Sequence, residues 1–142
     1  MTPPKTRGQI ERALCQQIQA LYRDLLGQYP HSAISRVFDR RLIVLLQDTS
    51  PQVERFLHLT GQAMLAEQMN REVEAALKPR IKAVIEEILQ IKVVTLLLMS
   101  DLEQGFSCVA ALLEDSPNLR EKISKPSRQA ASASDQSLSS AS

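Results

Sequence analysis

The sequence has no tryptophan, five other aromatic residues and four glycines, Gly8, Gly27, Gly61 and Gly105, each isolated from the rest. A Gly-rich phosphate loop is thereby excluded, and base stacking on an aromatic platform has little to work with. Cysteine is equally scarce. Cys15 and Cys108 are the only two, too few for the disulfide scaffold of a small secreted domain. No apolar run approaches the roughly 20 residues needed to cross a bilayer. The longest, residues 93–99, is seven residues with Thr95 inside it. Residues 1–7 carry charge and two prolines with no apolar stretch behind them, so no secretory leader is expected and the cytosol is the expected location. Excess charge is missing as well, since 17 Lys and Arg face 16 Asp and Glu.

What is present is 142 residues, 44% of them hydrophobic, the material of one small domain. Composition changes near residue 116, beyond which Ser supplies nine of the last 27 residues and branched aliphatics nearly vanish. Residues 116–142 therefore read as a Ser/Ala-rich disordered tail and residues 1–5 as a flexible N-terminus, leaving one α+β domain over 6–115. Ser116-Pro117 could in principle start one further short helix, to Ile123.

Thr6 and Gln9 have capping-box spacing, and Ile10, Leu14, Ile18, Leu21 and Leu25 recur at helical intervals until Gly27. Two strand-like runs follow, residues 32–38 and 41–47, with only Asp39-Arg40 between them, which suits a tight hairpin. Ser50-Pro51 opens a helical pattern that holds its period through Val53, Phe56, Leu57, Met64, Leu65, Val73 and Leu77. Pro79, which lacks a backbone donor and clashes with the preceding turn, is expected to kink or break it, with a second helix carrying Ile81, Val84, Ile85 and Ile88. Gly61 is a lesser weak point. Residues 93–100 and 106–113 form a second expected hairpin. The order is α, β, β, α, α, β, β, giving a four-stranded, mainly antiparallel sheet packed with helices. A short match between residues 45–51 and 112–117, Leu-Leu-Gln-Asp-Thr-Ser-Pro against Leu-Leu-Glu-Asp-Ser-Pro, suggests a duplicated unit.

The stretch from residue 6 to residue 115 resembles the MpsC-like family of small bacterial proteins. The resemblance is carried by Thr6-Arg7-Gly8-Gln9-Ile10-Glu11, the hairpin around Asp39, the Pro-initiated helix at Pro51 and Leu77-Lys78-Pro79. It continues through Ile85-Glu86-Glu87-Ile88 to Lys92-Val93-Val94. Two departures stand out: Phe38 occupies the position before Asp39 where Gly is usual, and Gln90-Ile91 lacks the Gly that often separates the last helix from the third strand. The resemblance implies a soluble accessory protein of a sodium-translocating, membrane-potential-generating system. It brings no catalytic residues with it.

Chemistry-bearing constellations are thin. His31 and His58 have no Cys or His at ligand spacing, so they read as ordinary surface or boundary histidines and no metal is expected. Cys15 and Cys108 sit in apolar surroundings and read as structural thiols rather than a redox pair. Glu86 and Glu87 point about 100° apart on a helix and cannot converge as acid and base. Neither an enzyme nor a cofactor is expected. Arg36, Arg40 and Arg41 form a candidate basic interaction patch on the first hairpin, and Lys78, Arg80 and Lys82 cluster later. The near-neutral folded region and the missing aromatic pattern disfavour nucleic acid.

The informative oddity is that residues 42–46, 93–99 and 109–113 are apolar at both alternating positions, where a strand with one wet face should alternate. Either the helices divide between the two faces or another subunit covers one. The expected function is a non-enzymatic cytosolic interaction or regulatory protein, a homo-oligomer accessory to a membrane ion or bicarbonate system with a protein partner there. A nucleic-acid-binding module and a small-ligand sensor are the alternatives.

Overall fold

The computed structural model describes residues 5–117, and the short helix expected to run from Ser116 to Ile123 falls, beyond Pro117, outside the described residues. The elements are α1 (Arg7–Leu26), β1 (Ser32–Phe38), β2 (Arg41–Gln47), α2 (Gln52–Leu59), α3 (Ala63–Leu89), β3 (Val93–Asp101) and β4 (Phe106–Leu113). That is the α+β order expected from the sequence.

Local chemistry explains the boundaries. The Gln9 amide donates to Thr6 Oγ1 at 3.1 Å while the Thr6 amide donates to Gln9 Oε1 at 2.9 Å, closing the capping box of α1. Gly27 ends the helix at φ 70°, its N–H reaching the Arg23 carbonyl. In the β1–β2 turn, Phe38 pairs with Arg41 and Asp39 takes φ 59°. A hairpin loop of two residues needs positive φ to follow the strand twist, and Asp accepts it better than most residues.

The expected break at Pro79 is not there. Helix α3 continues from Ala63 through Pro79 to Leu89, and the chain breaks instead at Gly61, which takes φ 86° between α2 and α3. Magnitudes explain the outcome. A proline inside a helix costs about 3 kcal/mol. Beyond it Ile81, Ile85 and Leu89 are buried against the sheet, each contributing about 1.5–3 kcal/mol. Pro79 and Ala75 both lie on the exposed side of α3, so the carbonyl that loses its partner faces water.

The four strands form one sheet in the order β1-β2-β4-β3, every neighbouring pair antiparallel. This order places the two hairpins about a pseudo-twofold between β2 and β4, as a duplicated hairpin would. A register shift between Val93 and Thr95 interrupts the β3–β4 ladder. Ile10, Leu14, Ile18 and Tyr22 of α1 and Leu77, Ile81, Ile85 and Leu89 of α3 pack over Leu42, Val44, Leu46, Leu96, Leu98, Val109 and Leu113. Both long helices therefore cover the same face, and they do not divide between the two.

The outer edge of β1 is occupied by α1. Glu11 Oε2 accepts the Val37 N–H at 2.8 Å, the Arg7 guanidinium donates to the Val37 carbonyl, and Ser35 Oγ donates to the Glu11 carbonyl at 2.6 Å.

At the far end of α3, Gln90 takes the left-handed position at φ 57°, ψ 36°, where the family resemblance leads one to expect Gly. A residue with a Cβ pays about 1 kcal/mol there. Gln90→Gly is expected to raise stability by about 0.5 kcal/mol, because the gain is partly offset by Gly's larger unfolded-state entropy. The check is a higher urea midpoint at an unchanged slope.

Candidate functional site

With the helices on one side, the other face of the sheet is open. Its side chains are those at alternate positions: Ile34, Arg36 and Phe38 on β1, Arg41, Ile43 and Leu45 on β2, Cys108, Ala110 and Leu112 on β4, and Thr95, Leu97 and Met99 on β3. Met99 is 66% exposed and Leu97 56%. Phe38, Arg41, Leu97 and Leu112 border a shallow groove of about 290 Å³ across this face. A contiguous apolar face of this kind is unusual for the water-facing side of a sheet.

The candidate basic patch borders the same face. Arg36 and Arg41 stand on the open side and Arg40 in the turn. Two of the three charges are matched locally, with Arg36 3.9 Å from Glu11 and Arg41 3.8 Å from Asp39, while Arg40 donates only to the Glu114 backbone carbonyl, at 3.4 Å, among the described residues. The second basic group does not assemble as one patch. Lys78 and Lys82 are one turn apart on α3, and Arg80 points elsewhere.

The two cysteines are free and lie on different layers. Cys15 is on α1, its Sγ 3.5 Å from Ser35 Oγ, while Cys108 faces the open side of β4. The sheet stands between them. His31 pairs with Asp48 at the surface. Glu86 has a structural job, accepting the Val93 N–H at 2.8 Å and fastening α3 to β3.

A second region was not visible in the sequence. Glu54, in the first turn of α2, is 1% exposed, and neither carboxyl oxygen has a hydrogen-bond partner among the described residues. One turn on, His58 Nδ1 is likewise buried without a partner. Burial first, and then the charge of Glu74, push the Glu54 carboxyl up from 4.5 to about 7. Glu74 receives one bond, from Asn70 Nδ2 at 3.2 Å. Beside this pair runs a buried hydroxyl chain: Thr49 and Ser107 meet at 2.6 Å, Ser107 and Ser100 at 2.8 Å. Tyr22 lies next to it, its phenol pushed up to about 12 by burial, with Ser107 opposing and Glu74 adding. A small cavity of about 10 Å³ touches Tyr22, Ser50, Asn70, Glu74 and Ser107, and a cleft of about 400 Å³ lined by His58, Glu67, Arg71 and Asp101 opens beside it. The two share Asn70 and Ser100. The arrangement can hold or release a proton near neutral pH. Among the described residues, no three His, Cys, Asp or Glu side chains converge as metal ligands.

Sequence reasoning passed over Glu54 because an acid in a helix's first turn is ordinary: it faces the positive end of the helix dipole. A helical wheel of residues 52–59 sets Glu54 opposite Phe56 and Leu59, a pattern that points the acid outward, so the sequence held no local signal of its burial.

Residues 6–115 match the sequence profile of the family described as MpsC, Na+-translocating membrane potential-generating system. No curated protein and no solved structure matches the chain. Among the described residues, no helix is long and apolar enough to cross a membrane.

Proposed function

Because this chain belongs to the MpsC family, we propose that it is a non-enzymatic, cytosolic interaction protein accessory to a membrane ion or bicarbonate system, and that it works as a homodimer. The observation that carries this reading is the open apolar sheet face. Four strands at the usual spacing make a face of about 19 by 23 Å. Side-chain relief brings its accessible area toward the roughly 600 Å² per partner at which stable interfaces begin. A twofold pairing of two such faces would remove Ile34, Phe38, Leu97, Met99 and Leu112 from water together. The local ion pairs of Arg36 with Glu11 and of Arg41 with Asp39 favour a protein contact over a nucleic-acid backbone.

Light scattering coupled to size exclusion tests the assembly. A mass near twice the 15.9 kDa chain is expected at about 50 µM, falling on dilution. A concentration-independent monomer would sink the dimer. Affinity purification from the native cell tests the accessory role, with components of a membrane ion system expected among the retained proteins.

A further inference from the structure

Helix α2 is inside out. Of its eight residues the only buried one is Glu54, while Phe56 is 65% exposed and Leu59 80%. At 100° per residue, Leu59, Phe56 and Val53 share one arc on the side away from Glu54. The apolar surface continues round the Gly61 bend to Met64, which is 85% exposed at the start of α3. A surface helix in water shows the opposite arrangement, with its apolar arc inward. Glu54 turned inward without partners and Phe56 turned outward both make sense if the outside of this corner is not water.

Two observations identify what lies there. The first is charge. Between Gln52 and Ala66 the only exposed charged side chain is Arg55, so the segment can enter an apolar medium with one charge to place, and that charge is positive. Of the nearby acids, Glu67 lines the cleft beside His58, and Glu103 borders a second cleft together with Arg55 and Leu59, at the margin of the segment. The second is shape. Leu59 and Met64, 80% and 85% exposed, project from the surface, Leu59 at the rim of a cleft of about 250 Å³ that it shares with Arg55 and Glu103. A bilayer needs no groove to receive such side chains, and its headgroup layer accommodates an interfacial helix with a basic residue at its margin.

We propose that the α2–α3 corner is a membrane-surface anchor. Val53, Phe56, Leu59 and Met64 enter the interfacial region of a bilayer containing anionic lipid, and Arg55 lies among the headgroups. The anchor does not depend on what covers the sheet, and it goes beyond an accessory role by fixing how the protein meets its membrane.

The absence of tryptophan makes the experiment clean. Phe56→Trp in the full chain, mixed with phosphatidylcholine–phosphatidylglycerol vesicles, is expected to show blue-shifted emission that brominated lipid quenches. In flotation, the otherwise native chain carrying Leu59→Glu and Met64→Glu together is expected to bind at least about tenfold more weakly with unchanged circular dichroism. Arg55→Ser should weaken binding about fivefold, the weight of one base near an anionic surface. Gln17→Glu, on the exposed side of α1, should leave vesicle binding unchanged. No shift with vesicles overturns the proposal, as does undiminished binding by the double variant or its loss in Gln17→Glu. A blue shift that grows with protein concentration in the absence of lipid also overturns it, assigning the corner to a protein contact.

Discussion

Replacing Glu54 by Met is expected to stabilise the protein by about 3 kcal/mol at pH 8, roughly 10 °C in melting temperature, and by much less at pH 5. The reason is the direction of the shift. The folded carboxyl titrates at about 7 against 4.5 for the unfolded chain, so between those values the folded state holds the extra proton. Stability must then fall as pH rises through that window, and the penalty is complete above it. A displacement of this size corresponds to about 3 kcal/mol. Glu74 supplies part of the cost and, among the described residues, is paired only with Asn70, while His58 presents a buried nitrogen unpartnered among them. Glu54→Gln, which keeps the size and removes the charge, should flatten the same window. Chemical denaturation at pH 5, 6, 7 and 8 provides the check. Parallel curves for the native chain and both variants would show that the carboxyl never carries its charge inside.

The other large effect is a contrast between neighbours. Leu97 and Leu98 are adjacent on β3, yet Leu97 faces the open side and Leu98 the core. Leu98→Glu should unfold the domain at neutral pH, because it loses about 2–5 kcal/mol of packing and leaves a charge without partners beneath α3. Leu97→Glu should fold with native circular dichroism and weaken self-association by about a hundredfold or more, since two copies of the charge would meet across a twofold. Near-ultraviolet spectra and sedimentation velocity read the two outcomes. Similar behaviour from both variants would contradict the assigned register.

That contrast also marks where the sequence was legible. The alternation that makes Leu97 and Leu98 opposites is a property of strand geometry, but residues 93–99 are apolar at both kinds of position, so the pattern alone could not say which side was covered. It did say that two coverings were needed, and the structure shows that the helices supply one. The caps at Thr6 and Gly27 and both hairpins were readable because each depends on a few adjacent residues. The break assigned to Pro79 was misplaced, because a local rule met a tertiary effect: burial of Ile81, Ile85 and Leu89 outweighs one missing hydrogen bond on the wet side. Glu54 was hidden for a related reason. Its inward direction follows from where Gly61 turns the chain, and a pattern that runs continuously from Val53 to Leu77 conceals that turn.

The attachment of α1 to the outer edge of β1 limits how the sheet can grow. With the Val37 N–H and carbonyl already taken by Glu11 and Arg7, another chain finds no free ladder positions at that residue. The opposite edge, β3, has no such side-chain cover over residues 95–99 among the described residues. A copy adding there in antiparallel fashion would join two open edges and leave two blunted ones outside. Addition at the sheet edges therefore terminates after a single step, because the outer edge that each copy then presents is the one α1 already holds.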